Sequence, residues 1–60
     1  MCEFKVILDG VKVAEDVVYA RVEGRRITVR DILGKPTVLD GARIVEVDVA
    51  STRMVLTRAS

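Results

Sequence analysis

The stretch EFKVILDGVKV, residues 3–13, decides the fold of this 60-residue chain. Apolar residues lie on both sides of Asp9-Gly10, which is a strong signal for the two-residue turn of a β-hairpin. A turn at this point lets apolar side chains face one another across the hairpin. The predicted cross-strand pairs are Leu8 with Val11, Val6 with Val13, and Phe4 with Glu15. The sequence therefore predicts a first strand from Glu3 to Leu8, with Glu15 and Asp16 brought close to its Cys2 end.

Further strands are predicted after this hairpin, because β-branched runs alternate with Gly and Asp at short intervals. The segment Val17–Glu23 has partly helical spacing, but its valines are poor helix formers and no capping residue precedes them. We therefore expect a strand there as well. The remaining predicted strands are one that ends at Ile32-Leu33, then Thr37–Leu39, Arg43–Val49, with its valines at 45, 47 and 49 on one face, and Met54–Thr57.

A tight turn at Gly24-Arg25 fixes how the second hairpin pairs. The predicted pairs are Tyr19 with Arg30, Ala20 with Val29, Val22 with Ile27, and Glu23 with Arg26. One face of this hairpin is expected to be core and consists of Ala20, Val22, Ile27 and Val29. The other face is expected to lie in water and consists of Tyr19, Arg21, Arg26, Thr28 and Arg30.

The fold class predicted from this pattern is all-β. About five or six short antiparallel strands form a meander, as a curled sheet or an open barrel, in a single β domain over residues 1–60. A chain of this length buries only about 60% of its unfolded surface, so its stability alone is marginal, and small domains usually gain stability from disulfides, a metal or a partner subunit. One cysteine excludes an internal disulfide and a finger-type zinc site. Because open sheets leave edge strands that invite pairing, we expect a homodimer.

Composition narrows the range of functions. The formal net charge of +1 indicates no strong attraction to nucleic acid or to anionic membranes. No apolar run approaches the roughly 20 residues of a membrane-spanning helix, and no secretion signal is recognisable. A lone thiol suits a reducing compartment, so we expect a cytoplasmic protein. The chain has no histidine and no serine beside a base, and we therefore expect no enzymatic activity.

Cys2 is the residue with the most distinctive chemistry, because it is the only cysteine and directly follows Met1. Removal of Met1 would leave an α-amine and a thiol on one residue, and together these groups close a five-membered chelate ring around a metal ion. Retention of Met1 would turn that amine into an amide and weaken the chelate. Taken alone, a single cysteine is more often a small packing residue than a ligand.

The opening Met1-Cys2-Glu3, followed by Lys5-Val6, is the most specific of several segments that resemble the CooT family. The others are Val22-Glu23-Gly24, Ile27-Thr28-Val29, Ile32-Leu33-Gly34, Ala42-Arg43-Ile44 and Val47-Asp48-Val49. Chaperones of the HypC type also begin with Met-Cys, but they continue with a proline-containing strand where this chain has Phe4-Lys5-Val6.

The resemblance implies a small dimeric β protein that binds nickel(II) through Cys2. Founding members of the family assist nickel insertion into carbon monoxide dehydrogenase, so the implied partner is a nickel enzyme or its maturation machinery. Nickel(II) with nitrogen and sulfur donors favours a square plane. Two copies of a processed Cys2 would supply four donors. Alternatively, the backbone amide of Glu3 would complete the plane with donors from one chain.

An RNA-binding function is the alternative, because related sequences have been labelled as predicted RNA-binding proteins. Arginines beside an aromatic ring that can stack on bases are typical of RNA-binding surfaces. The candidate residues are Tyr19, Arg21, Arg25, Arg26 and Arg30. Glu23 and Asp31 dilute this charge, and the near-neutral composition favours a plain solvated sheet face.

Overall fold

The computed structural model describes residues 2–58 and contains strands throughout that range. The strands are β1 (Phe4–Leu8), β2 (Val11–Glu23), β3 (Arg26–Asp31), β4 (Pro36–Asp40), β5 (Ala42–Asp48) and β6 (Arg53–Arg58). The predicted all-β class is confirmed. Within residues 2–58 there is no helix of the length and apolarity that a membrane crossing requires.

All six strands form one sheet in the order β4-β3-β2-β1-β6-β5. The predicted antiparallel meander is wrong in one respect, because β6 returns beside β1 in the parallel direction. The sheet curls, and the backbone amide of Ala42 donates to the carbonyl of Arg25 at 3.1 Å. This bond ties the start of β5 to the β2–β3 turn, while the sheet remains open rather than closing into a barrel.

The first hairpin turns at Asp9-Gly10 as predicted. Both residues have positive φ, 48° and 83°, as the type I′ turn requires. The hydroxyl of Thr57 donates to the Asp9 carboxylate at 2.7 Å and links β6 to this turn. Leu8 faces Val11, which confirms the pairing nearest the turn.

The pairing farther from that turn differs from the prediction. Two register shifts place Ala14 opposite Val6 and Val17 opposite Phe4, where Val13 and Glu15 were expected. Asp16 has a φ of 57°, in the left-handed region that non-glycine residues seldom adopt. Such β-bulges insert extra residues and bend a strand, which period-two alternation does not predict.

The bends allow β2, which is 13 residues long, to pair with β1 along its first half and with β3 along its second half. Strands that change partners at bulges commonly form the corners of such folds. The predicted strand at 17–23 is therefore confirmed, as the second half of a longer strand.

The core lies on the concave side of the sheet. Its buried side chains come from all six strands and are Val6, Leu8, Val17, Ile27, Val29, Leu39, Ala42, Met54 and Leu56. Phe4, Val13, Ala14 and Ile44 pack against this cluster and are partly buried. Burial of each large apolar side chain contributes roughly 1.5–3 kcal/mol, so this cluster is the main source of stability.

Two residues assigned to the core from sequence are exposed. The β2–β3 register matches the prediction, with Ala20 opposite Val29 and Val22 opposite Ile27. Ala20 is nevertheless exposed, and Val22 is 55% exposed. The physical reason is that β1 begins at Phe4, opposite Val17, so it does not extend far enough to cover this part of β2.

The third strand is shorter than predicted. It ends at Asp31, and the following Ile32 and Leu33 lie exposed in a turn. The Asp31 carboxylate accepts hydrogen bonds from the backbone amides of Leu33 and Lys35, each at 2.9 Å. The Asp31 carboxylate thus accepts hydrogen bonds from backbone amides that, in a longer strand, would pair with a neighbouring strand.

The fifth strand begins and ends one residue before the predicted bounds. It carries a register shift between Ile44 and Glu46, so its simple alternation is interrupted. Val49 lies in the turn beyond the strand end and does not continue a face of the strand. The fourth and sixth strands contain their predicted ranges and extend one residue beyond them at each end.

Replacing the fully buried Ile27 with Ala should lower the free energy of unfolding by about 2–5 kcal/mol, because it leaves a cavity at the centre of the core. Val49→Ala, at an exposed turn position, should change it by less than about 0.5 kcal/mol. Urea unfolding followed by circular dichroism measures both variants. Equal losses would contradict the assigned core.

Candidate metal centre at the N-terminal tip

Cys2 and Glu3 precede β1 and are both exposed. The backbone amide of Lys5 donates to the carbonyl of Thr52 at 2.9 Å, which anchors the start of β1 to the loop before β6. The two residues therefore extend from a fixed strand as a tip. Exposure of the Cys2 thiol argues against the interpretation that it is a buried packing residue.

The donors at this tip are the Cys2 sulfur, the Glu3 carboxylate and nearby backbone atoms. Among residues 2–58, no three His, Cys, Asp or Glu side chains are placed together to hold a metal ion. The side chains therefore do not supply a complete ligand set, and main-chain nitrogen or a second molecule would provide the nitrogen and sulfur donors that suit nickel(II). The Glu3 amide, the tentative second ligand, lies before the first residue of the β1–β2 ladder. Met1, whose removal the chelate requires, lies outside the described residues.

Glu15 and Asp16 do not take the positions expected of them beside the tip. The register shifts put Val17 opposite Phe4 in place of Glu15. Glu15 instead forms an ion pair with Lys12 at 2.8 Å. The hydrogen bond from Lys12, with its charge, lowers the pKa of the Glu15 carboxyl, and Glu15 raises the pKa of Lys12. The Glu15 carboxylate is therefore already ion-paired to Lys12 of the same strand.

The arginine face forms as the sequence predicts. Tyr19 lies opposite Arg30, Arg21 opposite Thr28, and Glu23 opposite Arg26, so the Tyr19, Arg21, Arg26 and Arg30 side chains share the outer side of the sheet. Arg25 lies in the β2–β3 turn.

Three arginines of this face already form ion pairs or hydrogen bonds within the chain. Arg26 Nε lies 3.1 Å from Asp40 Oδ1, and Arg21 Nε lies 3.5 Å from Glu23 Oε2. Arg30 Nη1 donates to the carbonyl of Gly34 at 3.3 Å. Acidic side chains are thus interleaved with the arginines, and the surface is of mixed charge rather than a basic platform.

Comparison with known proteins bears directly on this tip. The model of a family described as the CO dehydrogenase accessory protein CooT matches residues 1–57. The chain belongs to the CooT family. No curated protein matches it. The CooT match includes Cys2 and reaches into β6, so it covers both the tip and the sheet that holds it.

One feature near the tip was missed by sequence reasoning. Beyond Val17, the side of β2 that faces β1 has no strand beside it in the described part of this CooT chain. The observed strand lengths explain this feature, because β1 has five residues and cannot cover β2, which has 13. The assignment of Ala20 and Val22 to the core concealed it.

The native Cys2 thiol should react with a thiol-modifying disulfide reagent at nearly the rate found in urea, because the side chain is exposed. A matched buried thiol is provided by Val29→Cys in a Cys2→Ser background, since Val29 is 1% exposed. That variant should react much more slowly when native. Strong protection of Cys2 in the native protein would show that the tip is packed away.

Proposed function

We propose that this chain is a nickel(II)-binding accessory protein that delivers nickel during maturation of carbon monoxide dehydrogenase. The observation that carries the proposal is an exposed thiol at residue 2 in a chain of the CooT family. Nickel is cargo in this function, so the protein binds and releases it without acting as an enzyme. The proposed location is the cytoplasm, where a lone thiol stays reduced.

Cys2 is the proposed nickel ligand. Thiolate is the metal-binding form of cysteine, and nickel binding releases its proton. After removal of Met1, the α-amine of Cys2 supplies a nitrogen donor beside the sulfur. The remaining donors come either from the Glu3 amide or from Cys2 of a second copy. An exposed tip also suits transfer, because an incoming ligand of the recipient enzyme can reach the metal.

A homodimer is part of this proposal. Among residues 2–58, ten large hydrophobic side chains are exposed, and Leu33 is the most exposed at 88%. A chain of about 60 residues with so much uncovered apolar surface is expected to gain stability from a partner. RNA binding through the arginine face is not favoured, because Arg21 and Arg26 are ion-paired to acidic neighbours.

Cys2→Ser should abolish stoichiometric nickel binding, because it removes the only sulfur ligand at the tip. Glu3→Gln is the matched control and should bind normally, since only the backbone of residue 3 is invoked. Isothermal titration of the processed proteins with nickel(II) measures both. Unchanged affinity in Cys2→Ser would refute the proposed ligand.

Glu3→Pro should separate the two donor schemes, because proline has no amide proton to lose. If the Glu3 amide binds nickel, this variant loses affinity by at least about tenfold, a difference of roughly 1.4 kcal/mol. If two Cys2 residues share one ion, affinity is retained and native mass spectrometry shows one nickel per dimer. Intact mass of the same samples reports whether Met1 has been removed.

A further inference from the structure

The turn between β3 and β4 presents two apolar side chains to solvent. Ile32 is 51% exposed, and Leu33, at 88%, is the most exposed large hydrophobic side chain in residues 2–58. Neither residue continues a strand, and neither belongs to the core cluster. Turns favour Gly, Pro, Asn, Asp and Ser, so an apolar pair is unusual there. The folding of this chain gives no reason for these two side chains.

Hydrogen bonds hold this turn in one conformation. The Asp31 carboxylate accepts from the amides of Leu33 and Lys35, each at 2.9 Å. The Gly34 amide donates to the carbonyl of Asp31 at 2.9 Å, and the Asp31 amide donates to the carbonyl of Lys35 at 3.1 Å. Gly34 has a φ of 83°, which glycine adopts without strain. Leu33 is therefore presented from a fixed backbone, so little conformational entropy is lost when a partner binds it.

The turn is also tied to β2. The amide of Ile32 donates to the carbonyl of Asp16 at 3.0 Å, and Asp16 is the residue with positive φ in the bend of β2. Arg30 Nη1 adds a bond to the carbonyl of Gly34 at 3.3 Å. The bend of β2 therefore anchors the turn as well as the sheet.

A hollow of about 210 Å³ lies beside the turn and is bordered by both of its ends. Its rim is polar and includes Thr37. Its floor is apolar and is formed by Val13, Ala14, Val17 and Val29. Sites for whole small molecules usually have volumes of about 300–1,000 Å³. This hollow is smaller, and it suits a single apolar side chain of another protein.

We propose that this turn and the hollow beside it form the surface on which the nickel-recipient enzyme, a carbon monoxide dehydrogenase, docks. Leu33 enters an apolar socket of the enzyme, and an apolar side chain of the enzyme enters the hollow. The inference rests on the proposed function, because that function requires a protein that receives the nickel. It adds the place on this chain where that protein binds.

The size of the surface favours a recipient over a second copy of this chain. Stable dimers bury about 800 Å² on each partner and use roughly 20–30 residues a side, whereas weak, transient complexes are smaller. Two exposed apolar residues and one small hollow fit the transient class, in which one central side chain can supply most of the binding energy. Eight of the ten exposed large hydrophobic side chains of residues 2–58 lie outside this turn, so they remain available to the homodimer.

The turn lies close to the Cys2 tip without overlapping it. Phe4 is opposite Val17, and Val17 is opposite Asp31. The start of β1 and the start of the turn are therefore two interstrand spacings apart, about 10 Å. Cys2 precedes this row by two residues, and Leu33 follows it by two. An enzyme held by the turn thus lies near the thiol, while the thiol stays free to carry the metal.

Leu33→Ser should weaken binding to purified carbon monoxide dehydrogenase prepared without nickel by at least about tenfold, because it removes the central apolar side chain. Thr37→Phe should have the same effect, since its ring fills the hollow. Val45→Ser, at an exposed position on β5, is the matched control and should bind within about twofold of wild type. Biolayer interferometry with the nickel-loaded, processed proteins measures affinity, and circular dichroism confirms the fold.

Wild-type affinity in either Leu33→Ser or Thr37→Phe would overturn this docking surface. Failure of the wild type to form any complex would overturn the enzyme as its partner. Loss of the homodimer in Leu33→Ser, measured by light scattering, would show that the turn joins two copies and would also overturn the inference. The nickel proposal is decided separately, because Leu33→Ser should bind nickel as the wild type does, whereas Cys2→Ser should not.

Discussion

The two register shifts between β1 and β2 bend the second strand, and the rest of the molecule depends on that bend. They move Val17 opposite Phe4, where it is buried in the core, and they direct the second half of β2 toward β3. The sheet can then curl enough for Ala42 to reach the β2–β3 turn. The β1 ladder ends at Phe4, opposite Val17, so Cys2 and Glu3 precede it and the β1-facing edge of β2 beyond Val17 has no strand beside it in the described chain.

Local chemistry made much of this fold predictable. Asp9-Gly10 fixed the first turn, and the pairing of Val22 with Ile27 followed from the turn at Gly24-Arg25. Bulges were not predictable, because Val13 and Val17 fit a strand equally well in either register. The parallel return of β6 beside β1 was also missed, since short turns favour antiparallel neighbours and only long-range packing selects the other arrangement.

The sequence predicted which residue is central to the candidate site better than it predicted which residues lie around it. Cys2 stood out because the chain has no other cysteine and no histidine, and the structure leaves it exposed. Its surroundings were predicted less well, because the acidic residues expected nearby depended on a register that the bulges change. The arginine face formed as predicted, but the ion pair between Arg26 and Asp40 depends on how β4 packs beside β3.

Phe4 packs against the core and so holds the start of β1, and the exposed tip carries the Cys2 thiol beyond it. The edge of β2 beyond Val17 lies next to this point and has no strand beside it in the described chain. X-ray absorption at the nickel edge of the loaded, processed protein tests the central claim most directly. The account predicts a sulfur atom bonded to nickel, and a metal surrounded only by nitrogen and oxygen would contradict it.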